Sequence, residues 1–124
     1  MTSPCFFVSD LHGRIERYEK LFRAARAERP MALFLGGDLL PSRLPVASSL
    51  AEPDFVRGVL GPALAELRNA DPARLVRVFV IFGNDDPRAE EAAVLDLAAQ
   101  GLLEYGHGRR LNFGAFAVYG YACV

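Results

Sequence analysis

The chain has no tryptophan, two cysteines, two histidines and, among fourteen basic residues, the single lysine Lys20. Each scarcity excludes something. Cys5 and Cys123 cannot build a disulfide framework, which points to a reducing, cytoplasmic compartment. Met1 to Pro4 carries no basic n-region, and the apolar run that follows is cut at Asp10, against a secretory signal. No stretch reaches the roughly 18 apolar residues of a membrane span, so no membrane partner is expected. A formal net charge of -1 provides no broad basic surface for nucleic acid. The arginine bias reads first as coding composition and second as a supply of phosphate clamps. What is present suits one folded domain over residues 1–124: the chain is 52% hydrophobic and 23% charged.

The apolar spacing alternates between two periods. Cys5-Phe6-Phe7-Val8 is a short apolar run. Over 14–28, Ile15, Tyr18, Leu21, Phe22 and Ala25 recur at three- and four-residue spacing, which predicts a helix closed by Pro30. Met31 to Leu35 is a second strand-like run, and Leu75 to Phe82 a third, rich in β-branched and aromatic residues. Between them, 40–54 reads as a proline- and serine-rich loop and Phe55 to Leu67 as a weaker helix. Asp86 is placed to cap a third helix, with Pro87 at its first position and Gly101 at its end. The remainder, from Leu102 to Tyr121, predicts short strands joined by glycine turns. Strands alternating with helices give an α/β fold with a mainly parallel sheet and flanking helices, and three strands buried on both faces.

Polar residues cluster where these strands end. The first delivers Asp10 and His12, the second Asp38 and the third Asn84, and ligands of parallel sheets gather at the carboxyl edge. Asp10 and His12, two apart, can share one side while Leu11 enters the core. Two carboxylates, an imidazole and an amide oxygen make a mixed O/N donor set that suits Mn, Fe or Zn. Gly36, Gly37 and Gly83 allow the backbone to turn sharply beside an ion.

Ser9-Asp10-Leu11-His12-Gly13 resembles the D-x-H motif of calcineurin-like metallophosphoesterases, Gly36-Gly37-Asp38 their G-D motif, and Gly83-Asn84-Asp85-Asp86 their G-N-H-[DE] motif. The order fits, and the resemblance runs along essentially the whole chain. It implies the amino-terminal half of an α/β/β/α sandwich and two divalent metal ions. Asp10 and His12 would hold the first ion, Asp38 would bridge both and Asn84 would bind the second. The implied activity is metal-dependent hydrolysis of phosphate esters, as a phosphomonoesterase or phosphodiesterase.

The chain departs from that pattern twice. Asp85 stands where the family has a catalytic histidine, and an ionised aspartate would protonate a leaving group poorly and repel a phosphate. It is the candidate catalytic residue only by position. The later histidines of the family are missing too, since His107 in Gly106-His107-Gly108 lies at a glycine turn and reads as an ordinary turn histidine. Arg14 and Arg88, which follow the first and third motifs, are candidate substrate-binding residues, and the loop from Leu40 to Pro53 a candidate pocket wall. The apolar ending from Phe113 to Val124 predicts the front half of a longer enzyme, truncated at its C-terminus and inactive alone. The rival reading is a non-catalytic interaction module on the same fold, although a pure scaffold has no need of converging carboxylates. A receiver-type domain, with Asp10 as phosphoacceptor, leaves Gly83-Asn84 unexplained.

Overall fold

The computed structural model describes residues 4–41, 54–107, 109–113 and 116–120. Of the expected pocket wall from Leu40 to Pro53 residues 42–53 lie outside them, and of the apolar ending from Phe113 to Val124 residues 114–115 and 121–124 do. Cys5–Val8 forms β1, Ala32–Gly36 β2, Arg77–Ile81 β3 and Glu104–Tyr105 β4. These pair in parallel in that order. Between them run α1 (Ile15–Glu28), α2 (Gly61–Ala70) and α3 (Glu91–Ala99). A π-helical turn at Val56–Leu60 leads into α2, and a 3-10 turn at Arg88–Glu90 into α3. An antiparallel hairpin of β5 (Arg109–Phe113) and β6 (Phe116–Gly120) follows. The fold is therefore the α/β class that the alternating periods predict. Among the described residues no helix is long and apolar enough to cross a membrane.

Strand order decides where the helices lie. Right-handed crossovers that always step to the next neighbour deliver every helix to one face of the sheet. Tyr18, Phe22, Leu64, Leu67, Val94 and Leu97 thus share a single core with Leu33, Leu35, Val78 and Val80. The opposite face carries an aromatic row. Phe7, Phe34 and Phe79 stand side by side in register, and the rings of Phe34 and Phe79 stack at 5.0 Å. Arg77 lies 4.8 Å over Phe79 and makes two hydrogen bonds to Glu104, at 2.9 and 2.7 Å.

The structure corrects three local expectations. β1 is not buried on both faces: among the described residues it lies at the edge of the sheet, with Cys5 exposed and Phe7 72% exposed. An apolar run does not encode how many neighbours its strand will have. Ile15, in the first turn of α1, is 52% exposed, whereas Tyr18, Phe22 and Ala25 are buried as the spacing predicts.

The third correction is Asp86, which does not cap a helix. Pro87 stands before the 3-10 turn in extended backbone, and no side chain caps it. Asp86 is instead 3% exposed. Its Oδ1 accepts the N–H groups of Leu39 and Leu40, both at 2.9 Å, and its Oδ2 accepts the N–H of Gly83 at 2.8 Å. Leu39 and Leu40 are buried, so their donors need partners inside the protein. Three bonds to a carboxylate outweigh one surface cap worth about 1 kcal/mol.

Tyr18 completes this anchorage by donating its hydroxyl to the carbonyl of Leu39 at 2.6 Å. Burial, and secondarily the charge of Asp86, raises the Tyr18 phenol well above its ordinary range.

Two outcomes follow for stability. Asp86→Ala strands two buried N–H groups and loses three charge-assisted bonds, so it should cost about 3 kcal/mol in urea unfolding. Asp86→Asn, which keeps one acceptor oxygen, should cost less, and a loss below about 1 kcal/mol for Asp86→Ala would contradict the role given to this carboxylate. The second outcome concerns alkali. The folded Tyr18 pKa lies above the unfolded one, so its contribution is fully present below about pH 10 and is lost as pH rises from there toward the folded value. Tyr18→Phe should flatten that alkaline decline, as read by unfolding curves between neutral and alkaline pH.

Candidate metal centre

The loops that leave β1 and β2 are strapped together past the ends of their strands. The N–H groups of Asp10, His12 and Gly13 donate to the carbonyls of Gly37, Asp38 and Leu39 at 3.1, 2.9 and 2.8 Å. This close parallel course demands unusual backbone. Asp10, His12 and Asp38 all adopt positive φ, at 60°, 48° and 54°. Among the described residues the only other non-glycine with positive φ is Arg29, which ends α1. Asp and His tolerate the left-handed region better than most residues. It is still strained for any L residue, by about 1–2 kcal/mol. Leu11, between the two candidate ligands, is buried. Arg17 steadies the first loop by donating to the Asp10 carbonyl at 2.8 Å.

The result is a convergence of donors. Asp10, His12 and Asp38 each present one ligand atom, and these atoms lie within 4.8 Å of one another. Nε2 of His12 is 3.7 Å from Oδ1 of Asp10. Asp10 is exposed, while His12 and Asp38 are half-buried. Donors on a common ion with bonds of about 2.1 Å stand at most about 4.2 Å apart, so short side-chain rotations would close this group on one ion. Carboxylate–imidazole–carboxylate is a donor set that fits Mn, Fe or Zn.

The turn after β3 sets the third side of the centre. The N–H of Asp85 donates to Oδ1 of Asp38 at 3.0 Å. A Cβ on Gly83 would fall on the Asp38 carboxylate, so only glycine leaves that side chain its place. Asn84 is exposed between these two contacts. Oδ2 of Asp85 stands 4.0 Å from Nδ1 of His12, although Asp85 is outside the converging group.

The other candidates are arranged differently. Arg14 is exposed and precedes α1 as its N-cap residue. Arg88 stands 3.9 Å from Glu91, whose carboxylate also accepts the Tyr105 hydroxyl at 2.8 Å, so its guanidinium already has a carboxylate beside it. His107 has its ring 6.4 Å from that of Tyr105 and takes no part in the converging group. Sequence reasoning missed Asp86 as the anchor beneath the centre, although its place at the end of the Gly83–Asp86 motif was a signal. It also missed Arg17, for which the sequence holds no signal beyond its charge.

A solved crystal structure superposes on the chain with a TM-score of 0.62 at 18% sequence identity, over 98% of this chain and 53% of that one. At that identity the likeness shows the fold alone, and the chain spans about half the length of the structure it matches. No protein-family model matches the chain, and no curated protein does.

Metal titration separates ligands from mere fold residues. Mn²⁺ at a hundredfold excess over Kd should stabilise the chain by about 2.7 kcal/mol, a rise in Tm of about 8 °C. Asp38→Ala should abolish the rise. Asp10→Gly should also abolish it, yet leave the metal-free protein within about 0.5 kcal/mol of wild type or above it, because glycine relieves the left-handed strain. An unchanged Tm with saturating Mn²⁺ would remove the metal assignment.

Proposed function

We propose that this chain carries the metal-binding half of a metal-dependent phosphoesterase, resembling the calcineurin-like metallophosphoesterases. The observation that carries the reading is the convergence of Asp10, His12 and Asp38 at adjacent strand ends, all three on left-handed backbone. Strain of this kind persists where the surroundings over-determine it, and it clusters at functional sites. The donor set excludes a thiolate-bound structural metal, and its exposure leaves room for a ligand.

A bound divalent ion supplies Lewis acidity toward phosphoryl oxygens and a water of lowered pKa. The chain's own residues do the rest. Asp10, His12 and Asp38 would hold the first ion. Asp38 would be shared with a second ion, to which Asn84, between two residues tied to Asp38, would offer its amide oxygen. Arg14, at the positive end of the α1 dipole, is suited to a substrate phosphate. Arg88, opposite Glu91, is less available for that task. Phosphoryl transfer asks for positioning and positive charge more than for a protein nucleophile, which agrees with a site made of ligands and arginine.

The test is hydrolysis of bis(p-nitrophenyl) phosphate and p-nitrophenyl phosphate by the complete gene product with Mn²⁺, against His12→Ala. Wild type should turn over at least one ester, and His12→Ala should lose about a hundredfold or more in kcat/KM, as expected when a ligand is removed and not merely its support. Metal uptake without hydrolysis of either ester would overturn the hydrolytic reading and favour an interaction module on the same fold.

A further inference from the structure

We propose that Asp85 is the positioning residue of this centre: its carboxylate receives the Nδ1–H of His12 and so holds the imidazole with Nε2 presented to the ion. The inference rests on the metal-centre reading and goes beyond it, because it gives the residue that replaces the expected histidine a task of a different kind.

His12 has a carboxylate on each side of its ring. Nε2 is 3.7 Å from Oδ1 of Asp10, and Nδ1 is 4.0 Å from Oδ2 of Asp85. The two carboxylates are not equivalent. Asp10 belongs to the group whose ligand atoms converge within 4.8 Å, and Asp85 does not. Asp85 is nonetheless fixed beside the centre, because its backbone N–H donates to Oδ1 of Asp38 at 3.0 Å. That bond sets the Asp85 backbone without using its side chain. The side chain, 60% exposed, is left to rotate the remaining ångström toward Nδ1.

The chemistry selects the same role. A histidine ligand is neutral, so one ring nitrogen binds the metal and the other carries a proton that needs an acceptor. A carboxylate on that second nitrogen fixes the tautomer and ring orientation and makes the ligand more basic. With Asp10 and Nε2 turned to the ion, Asp85 is the carboxylate in place for Nδ1–H. A general-acid role would instead require Asp85 to carry a proton of its own.

The experiment compares wild type, Asp85→Asn and Asp85→Ala of the 124-residue chain, all with His107→Gln so that His12 is the sole histidine signal. Zn²⁺ is the probe, being diamagnetic. Asp85→Ala should weaken Zn²⁺ binding about tenfold by calorimetry, the low end of the effect of losing a histidine's partner. Asp85→Asn keeps an acceptor oxygen and should stay within about threefold of wild type. In the Zn²⁺-loaded protein, ¹⁵N-resolved spectra should show the His12 proton on Nδ1, exchanging slowly in wild type and faster in Asp85→Ala. Equal weakening by Asn and Ala would reduce Asp85 to a charge effect and overturn the positioning role. So would an unchanged affinity in Asp85→Ala, or a proton found on Nε2. Wild type that binds neither Zn²⁺ nor Mn²⁺ would overturn the metal-centre reading itself.

Discussion

A single buried carboxylate holds the candidate centre together from beneath. Asp86 accepts the N–H groups of Leu39 and Leu40 from the loop after β2, and that of Gly83 from its own turn after β3. Tyr18 ties α1 to the same loop through the Leu39 carbonyl. The loop after β1 joins through backbone bonds to Gly37, Asp38 and Leu39. Residues 37–40 are therefore gripped from three directions, and Asp38 sits inside that grip. A carboxylate in this position satisfies donors that water cannot reach, and its bonds are stronger than bonds between neutral groups.

The same bonds explain how three non-glycine residues remain in the left-handed region. Strain at Asp10, His12 and Asp38 would relax if their loops could move apart. The backbone straps forbid that separation, so rigid surroundings balance a local cost. Residue types match as well. Asp and His are enriched in this conformation relative to most residues and are also metal ligands, so one pair of properties serves both shape and chemistry.

Much of this was legible in the sequence, for physical reasons that can be named. The helical stripe of Tyr18, Phe22 and Ala25 and the apolar runs of β2 and β3 announced the elements, since burial imposes periodicity directly. The ends of the β1 and β2 runs announced Asp10, His12 and Asp38, because parallel neighbours bring their carboxyl ends to one edge. What stayed hidden depends on distant partners. Cys5 to Val8 reads like any buried strand, yet its place at the sheet edge leaves Phe7 largely exposed. Asp86 before Pro87 reads like a helix cap, and only donors some forty-six residues away along the chain redirect it. Arg17 reads as one more wet helix arginine, and its bond to the Asp10 carbonyl depends on where the loop folds back.

The turn after β3 shows how adjacent residues acquire opposite tasks. Gly83 gives the Asp38 side chain its room by lacking a Cβ. Asp85 touches Asp38 with its backbone and leaves its carboxylate in solvent near His12. Asp86 turns inward and spends both oxygens on backbone donors. Asn84 alone makes none of these contacts, and it is exposed. The position of Asp38 thus depends on this turn as well as on its own loop, so the turn after β3 helps shape a centre whose three converging ligands all come from β1 and β2. A substitution that shifted the turn would displace Asp38 without touching any ligand. The side chain of residue 84 could change without loosening that hold.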